Sequence, residues 1–538
     1  MKTILLSSIF SLLMLCVGNH ATAQLYEISL EEKTDNSTLI VEGKVLGSSS
    51  FWNAAHTMIF TSNKVEVYKV FKGILRKTFI EVLTQGGSVG GDYIEASDLL
   101  TLEKGNTGVF FCFPNSPGVK APGSADLLFD IYSSRQGFLR YDLSNNKAFA
   151  PFVEYADIEG NLYKLLRQKT GKSIQIIDAS FKPGQLKKNY DAARINATAA
   201  ITSFSPATVN AGALNTPVAN TLTINGSGFG TPLAGRQLIF KDANTDNTTA
   251  EYALESLSPY VSSWTDAQIV VRVPTRVGTG KFGIVKEIGD TAFAVTNLTV
   301  FYAILNATFG GNVVSEPRLV NKNNLGGYNI VYSTETAGNG TNFTTDSMYN
   351  NFRQALRTWK EVAGVNFVEN GTTTNQVVNG SDNINTIMFD NANTGVPPLA
   401  SGTLAVAYSS STICPGSLYS QKPGFDIIVR KEGVSAAPAP NPFNKNYCAL
   451  VLNTYSGEST LLHELGHALN LGHIYDPLEQ TGNYTTRNPS KLMHPSQTNS
   501  IARTALDQSS YAGSSYTITP QNLNYGNCGL PTEMIPLP

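Results

Sequence analysis

The sequence predicts a multidomain chain: a β-rich N-terminal region, a two-sheet β-sandwich, then an α+β domain with a mixed sheet and a site helix. Three observations lead there. The 538 residues are 41% hydrophobic, enough for several cores at about 150 residues per domain. Short runs rich in Val, Ile, Phe, Tyr and Thr, bounded by Gly, Ser, Asn or Pro, dominate as far as residue 302. Beyond residue 310 two helical patterns enter, which turns the expectation from all-β to mixed.

Residues 1–23 read as a signal peptide. Lys2 gives a positive start, Ile4 to Val17 an apolar stretch too short to span a bilayer comfortably, and Ala21-Thr22-Ala23 a small-residue cleavage pattern. Cys16 follows Leu15, where a lipoprotein signal wants a small residue. The mature chain is therefore expected to be secreted, either extracellular or periplasmic or at the surface of a bacterial cell.

Residues 24–195 form the first unit, with strands expected at Leu39 to Leu46, Ile59 to Phe71, Phe79 to Leu83 and Gly108 to Phe113, and a basic helix around Leu162 to Lys169. Its end, 168–194, is basic and turn-rich and reads as an exposed linker. This region is an accessory domain or a pro-region; the residue types in it form no catalytic cluster.

Residues 199–302 carry Leu222 and Ile224, a Gly-rich turn, then Ile269, Val271 and Val273, alternation that describes sandwich strands around Trp264. The runs Ile201 to Pro206, Leu222 to Gly230 and Ser263 to Pro274 resemble the IPT/TIG immunoglobulin-like domain. Asp242, Asn244 and Asp246 have calcium-loop spacing, but Asn247 and Ala253 stand where Gly and Glu are needed. An ordinary polar turn is expected there, and Ca2+ remains unsupported.

In residues 310–538, Tyr328 to Ser333 reads as a strand. Thr345 to Ala363 reads as an amphipathic helix, with Met348, Phe352, Leu356, Trp359 and Ala363 on one face and Gly364 as its stop. Strands follow at Ile384 to Phe389, Thr403 to Tyr408 and Phe425 to Arg430, and a second helix begins near Glu458. Of the remaining cysteines, Cys414 and Cys448 are the favoured disulfide among three connectivities, and Cys112 lies in an apolar run as a buried thiol.

The second helix carries His463, Glu464, His467, Asn470 and His473. Only 6 His occur in the chain, and three at these offsets arise by chance on the order of once per thousand chains. His463 and His467, four apart, share one helical face, so their ring nitrogens converge on one ion. His473 would lie about 15 Å along a continuous helix, so the helix must end. Asn470 is the residue to end it, because Asn tolerates the left-handed conformation. Three imidazoles with a fourth position for water describe an open catalytic zinc site, and the absence of a nearby carboxylate in the motif favours Zn2+ over iron. Glu464, on the same helix but not a ligand, is placed to act as general base toward the zinc-activated water.

His463 to His473 resembles the HExxHxxGxxH signature of the metzincin zinc metallopeptidases, with Asn470 in place of the usual Gly. Lys491 to Ser496 resembles their Met-turn, with Met493 as the supporting methionine. Pro495 stands where some of these enzymes have a Tyr, and His494 is expected to face away. The resemblance implies a secreted zinc metalloendopeptidase and makes Thr403 to Tyr408 the edge strand to which substrate adds. A downstream Glu ligand, Glu479, is the rival within enzymes. The rival outside them is a catalytically inactive zincin-fold adhesin or binding protein. If 24–195 is a pro-region, Cys112 does not resemble a cysteine switch, and a carboxylate is the other means of occluding the zinc.

Charge excludes other partners. Charged residues make up 15%, with 39 basic against 41 acidic side chains, so there is no polybasic field for nucleic acid. Protein or peptide substrates, no transmembrane segment and a monomer are expected.

Overall fold

The computed structural model describes residues 25–538 apart from internal segments, the longest being 432–442, 477–489 and 521–532. The proposed signal peptide, Cys448 and Glu479 lie outside the described residues.

In the N-terminal region five strands close into a barrel. Leu39–Trp52, Ile59–Lys72, Phe79–Gln85, Leu128–Ile131 and Thr107–Pro114 pair in turn, and the last returns to the first. Inward residues such as Val41, Val65, Val82 and Phe110 fill it. Cys112 is a buried free thiol in this barrel core. A second apolar cluster lies outside the barrel under the helix Tyr163–Thr170. The segment expected to be a linker contains a helix, Pro183–Arg194.

Residues from Ala200 build two four-stranded sheets. One is ordered Ala200–Ser205, Thr221–Ser227, Gln268–Arg272, Val261–Trp264; the other pairs Gln237–Asp242 between Glu251–Glu255 and Val277–Glu287. Leu222, Ile224, Ile269 and Val271 are buried between them, and Trp264 donates its indole N–H to the Phe229 carbonyl at 3.3 Å.

The C-terminal region centres on a ten-stranded mixed sheet. Its neighbours run Val313–Leu319, Tyr419–Lys422, Ala405–Ile413, Phe425–Val429, Asn385–Phe389, Tyr328–Ser333, Phe367–Thr373. Two of the ten, Gly87–Val89 and Asp92–Ala96, come from the N-terminal region. The helix Met348–Ala363 packs Trp359 against the helix Gly457–Ala468, and its indole N–H donates to the Leu462 carbonyl at 2.9 Å.

The expected fold class is corrected by this architecture. Among the described residues strand makes up 44% and helix 17%, so they are β-dominated and do not divide into β-rich modules followed by an α+β zincin-like domain. The physical reason lies in burial. Phe425–Val429 and Asn385–Phe389 are buried at every position, so they show no alternation, and short apolar runs of that kind are ambiguous in sequence. The amphipathic helix Met348–Ala363, by contrast, has a clear period in sequence. A strand that completes a sheet from more than 300 residues away leaves no local signal at all. Among the described residues no helix is long and apolar enough to cross a membrane.

Candidate metal centre

The helix Gly457–Ala468 is buried along its whole length, its polar side chains Glu458, Ser459, Thr460, His463, Glu464 and His467 included. Ser456 caps it by accepting from the Ser459 N–H at 3.2 Å. At the other end Asn470 sits at φ +66°. The Asn470 N–H donates to the His467 carbonyl and the Leu471 N–H to the Gly466 carbonyl, both at 2.9 Å, a Schellman closure. Lys422 Nζ reinforces the turn, donating to Asn470 Oδ1 at 2.9 Å. The chain then doubles back and brings His473 beside His463 and His467, with ring centroids 5.5 and 4.8 Å away.

Each imidazole is oriented through Nδ1. His463 donates to the Leu492 carbonyl and His467 to the Leu471 carbonyl, both at 2.8 Å, and His473 faces Asn244 Oδ1 at 2.9 Å. With Nδ1 protonated, the lone pairs lie on Nε2. His463 and His467 Nε2 are 2.9 Å apart. Two lone pairs at that distance repel unless a cation shares them, so the donor set fits a metal ion. Burial favours uncharged rings at two of the three, pushing His473 down to about 4 and His463 well below its ordinary value, whereas at His467 burial is outweighed by the Asp98 hydrogen bond and the Glu464 and Asp98 charges, which raise it.

A fourth donor comes from the N-terminal region. Asp98 is fully buried, with Oδ1 3.3 Å from His473 Nε2 and Oδ2 3.8 and 3.7 Å from those of His463 and His467. These four ligand atoms lie within 4.8 Å of one another, and among the described residues this cluster could hold a metal ion. Buried Asp98 Oδ2 and His473 Nε2 have no hydrogen-bond partner, as expected of atoms arranged for a cation. Burial works to raise the Asp98 carboxyl, but His473, His467 and Arg135 hold it well below the usual range.

The expected open fourth position is therefore filled by protein. The premise that no carboxylate reaches the site, used to favour zinc over iron, does not hold. Nothing in the local motif signals Asp98. It stands at φ +58° in a turn after the strand Asp92–Ala96, clamped by Arg135, which donates to the Leu99 carbonyl at 3.0 Å.

The preceding residue meets Glu464. Ser97 Oγ donates to Glu464 Oε2 at 2.9 Å and accepts from the Ala407 N–H at 2.8 Å. Glu464 Oε1 is buried without a partner. Burial, and then the negative charge of Asp98, pushes Glu464 up to about 8. Upstream, Asp92–Ala96 runs antiparallel along Ala405–Ile413 in continuous register from Tyr408↔Ala96 to Thr412↔Asp92.

Met493 lies beneath the site helix, where a Cβ at Gly466 would collide with its Sδ, and its carbonyl accepts from Ile474 N–H at 2.9 Å. His494 is buried, but its Nδ1 accepts from the Ser496 N–H at 3.2 Å, and it is not part of the four-residue group. Cys414 is disulfide-bonded. Asp242 and Asn244 of the supposed calcium spacing are engaged by Arg276 and His473; Asp246 lies outside the described residues.

No family model and no curated protein matches this chain. Among solved structures, an auxiliary nutrient binding protein from Bacteroides thetaiotaomicron is 16% identical over 21% of this chain, with a TM-score of 0.15. The match spans 23% of that protein's length. A likeness of that size carries no argument about fold or activity.

Proposed function

We propose that this chain is the latent precursor of an exported, zinc-dependent endopeptidase, with Glu464 as general base and the N-terminal region as its inhibitor. One observation carries the reading: three oriented imidazoles share a point beside a buried carboxylate, Glu464, that is not one of the ligands. The motif's resemblance to the metzincin peptidases and export through residues 1–23 belong to the same proposal. A bound zinc ion would supply a Lewis acid that polarises the scissile carbonyl and makes water acidic enough to be activated.

The chain's own residues account for the rest. Ala405–Ile413 presents backbone groups to an extended peptide, the way it now holds Asp92–Ala96. Glu464 takes a proton from the attacking water as the carbon–oxygen bond forms. It returns that proton to the amine nitrogen as the carbon–nitrogen bond breaks. Asp92–Ala96, Ser97 and Asp98 thus occupy the peptide's path, the base and the fourth metal position together, which makes the full chain inactive until they are displaced.

A second reading has its own support. Three His and one Asp with no solvent access also describe a closed structural metal site, in a binding protein that uses the ion to fasten its N-terminal region. Glu464 has no task in that reading.

The test is peptide hydrolysis by the full chain before and after limited tryptic cleavage, with trypsin then inhibited. The expected result is chelator-sensitive hydrolysis only after cleavage, lost in Glu464→Gln. Equal rates for wild type and Glu464→Gln would sink the peptidase. Absence of hydrolysis, with metal retained and melting lowered by chelator, would favour the structural site.

A further inference from the structure

The imidazole of His473 is the one ligand ring whose Nδ1 partner is neither on the site helix nor in the segments that follow it. Asn244 belongs to the sandwich, 229 residues earlier in the chain, and its Oδ1 lies 2.9 Å from His473 Nδ1. The other two rings are held by the main-chain carbonyls of Leu471 and Leu492.

Asn244 is held on its N–H side mainly by its own domain, with Arg140 of the N-terminal region also reaching Asp242 Oδ2 at 3.4 Å. Asn244 stands in the turn after the strand Gln237–Asp242, and its N–H donates to Asp242 Oδ1 at 3.0 Å. Asp242 is gripped in turn by Arg276, with Nε to Oδ1 at 2.9 Å and a terminal guanidinium nitrogen to Oδ2 at 2.7 Å. The Ala243 N–H donates to the Arg276 carbonyl at 2.9 Å. The turn is thus braced up to the Asn244 N–H from within the sandwich, and the Asn244 carbonyl accepts from Arg135 of the N-terminal region at 3.4 Å.

The sandwich is also joined to the segment that carries His473. The Gly472 N–H donates to the Ala303 carbonyl and the Leu305 N–H to the Asn470 carbonyl, both at 2.8 Å, and the Thr279 N–H to the Tyr475 carbonyl at 3.1 Å. At Gly472 a Cβ would lie 2.5 Å from Thr275 Cγ2, so the approach admits no side chain. One continuous apolar cluster runs from Leu222 and Phe282 of the sandwich to Leu465 and Met493.

We infer that Asn244 is a positioning residue of the metal centre, and that the sandwich and the C-terminal region together make up the metal-binding unit. The inference rests on the reading of His463, His467 and His473 as ligands. An amide oxygen only accepts, so it holds the proton on Nδ1, fixes the ring's rotation and leaves Nε2 to the ion. An amide also carries no charge, so it does this at every pH. Outer partners of ligand imidazoles typically account for 10- to 100-fold in metal affinity.

The experiment measures Zn2+ affinity of the full chain by competition with a chromophoric chelator, and the visible absorption bands of the Co2+-loaded protein. Asn244→Leu is expected to weaken Zn2+ binding about 10- to 100-fold and to shift the Co2+ bands, with apo-protein melting near wild type. Asn244→Asp, which keeps an acceptor, is expected to restore affinity and bands. Affinity for Asn244→Leu within about twofold of wild type, or equal losses in both variants, overturns the inference. His463→Ala and His467→Ala serve as the separate control: if these also keep wild-type affinity, the ligand reading falls, and if they lose it, only the role of Asn244 is at stake.

Discussion

The N-terminal region and the sandwich each send one side chain to the same imidazole, but to opposite nitrogens. Asp98 comes within 3.3 Å of His473 Nε2, the atom that faces the metal position, whereas Asn244 lies 2.9 Å from Nδ1. Their attachments differ in the same sense. The sandwich shares a single apolar core with the C-terminal region. The barrel keeps cores of its own and meets the C-terminal sheet through a separate cluster, with Ile94 and Leu99 against Val406 and Ile428. A side chain that blocks the ion's open side thus sits on the separable region, and one that orients the ligand sits on the fused one. That division is what a precursor requires.

The largest way to break the comparison is at the base. In the cleaved protein Glu464→Gln is expected to lower hydrolysis about 10²- to 10⁴-fold, the range for a general base, as measured by kcat/KM on a peptide. Asp98→Ala in the uncut chain comes next. Losing the Asp98 anchor is expected to raise hydrolysis by the intact protein at least about tenfold, by increasing the fraction in which Asp92–Ala96 and Ser97 are undocked as well, whereas a structural site would show only weaker zinc retention.

Two core truncations sharpen the difference between the attachments. Trp359→Ala, beneath the site helix, and Phe111→Ala, in the N-terminal region, remove fully buried rings and are each expected to cost about 3–5 kcal/mol in denaturant melts. Only the first should reduce zinc affinity in the cleaved protein.

The smallest effect is electrostatic. Asp242 is buried, which alone would raise it, but the charge and hydrogen bonds of Arg276 bring it to about 2 from 3.8. A folded value below the unfolded one stabilises fully above pH 3.8 and loses that contribution as pH falls through about 2. It amounts to about 2 kcal/mol at neutral pH. Melting curves at pH 5 and 2.5 should show a shallower acid loss in Asp242→Asn.

Legibility followed distance along the chain. His463, His467, Glu464 and the turn at Asn470 could be read because helix geometry relates neighbours three to four residues apart. Met348–Ala363 was legible for the same reason, and the sandwich strands through their alternation. Asp98 and Ser97 could not be read, since their partners at the site lie 310 to 375 positions away and a lone Asp in a turn has no pattern. Asn244 was visible only as part of a polar spacing read as an ordinary turn, which carries no sign of a partner 229 residues away. The fold class was misjudged where strands buried on both faces carry no period and where the barrel lends strands to a distant sheet.

Anomalous diffraction at the zinc edge from crystals of the full chain tests the central claim most directly. The account predicts a single peak at about 2.0–2.2 Å from the Nε2 atoms of His463, His467 and His473 and from a carboxylate oxygen of Asp98, with Glu464 outside the coordination sphere. A zinc-loaded crystal with no peak at this cluster, or with the ion bound by Glu464 while Asp98 turns away, would contradict it.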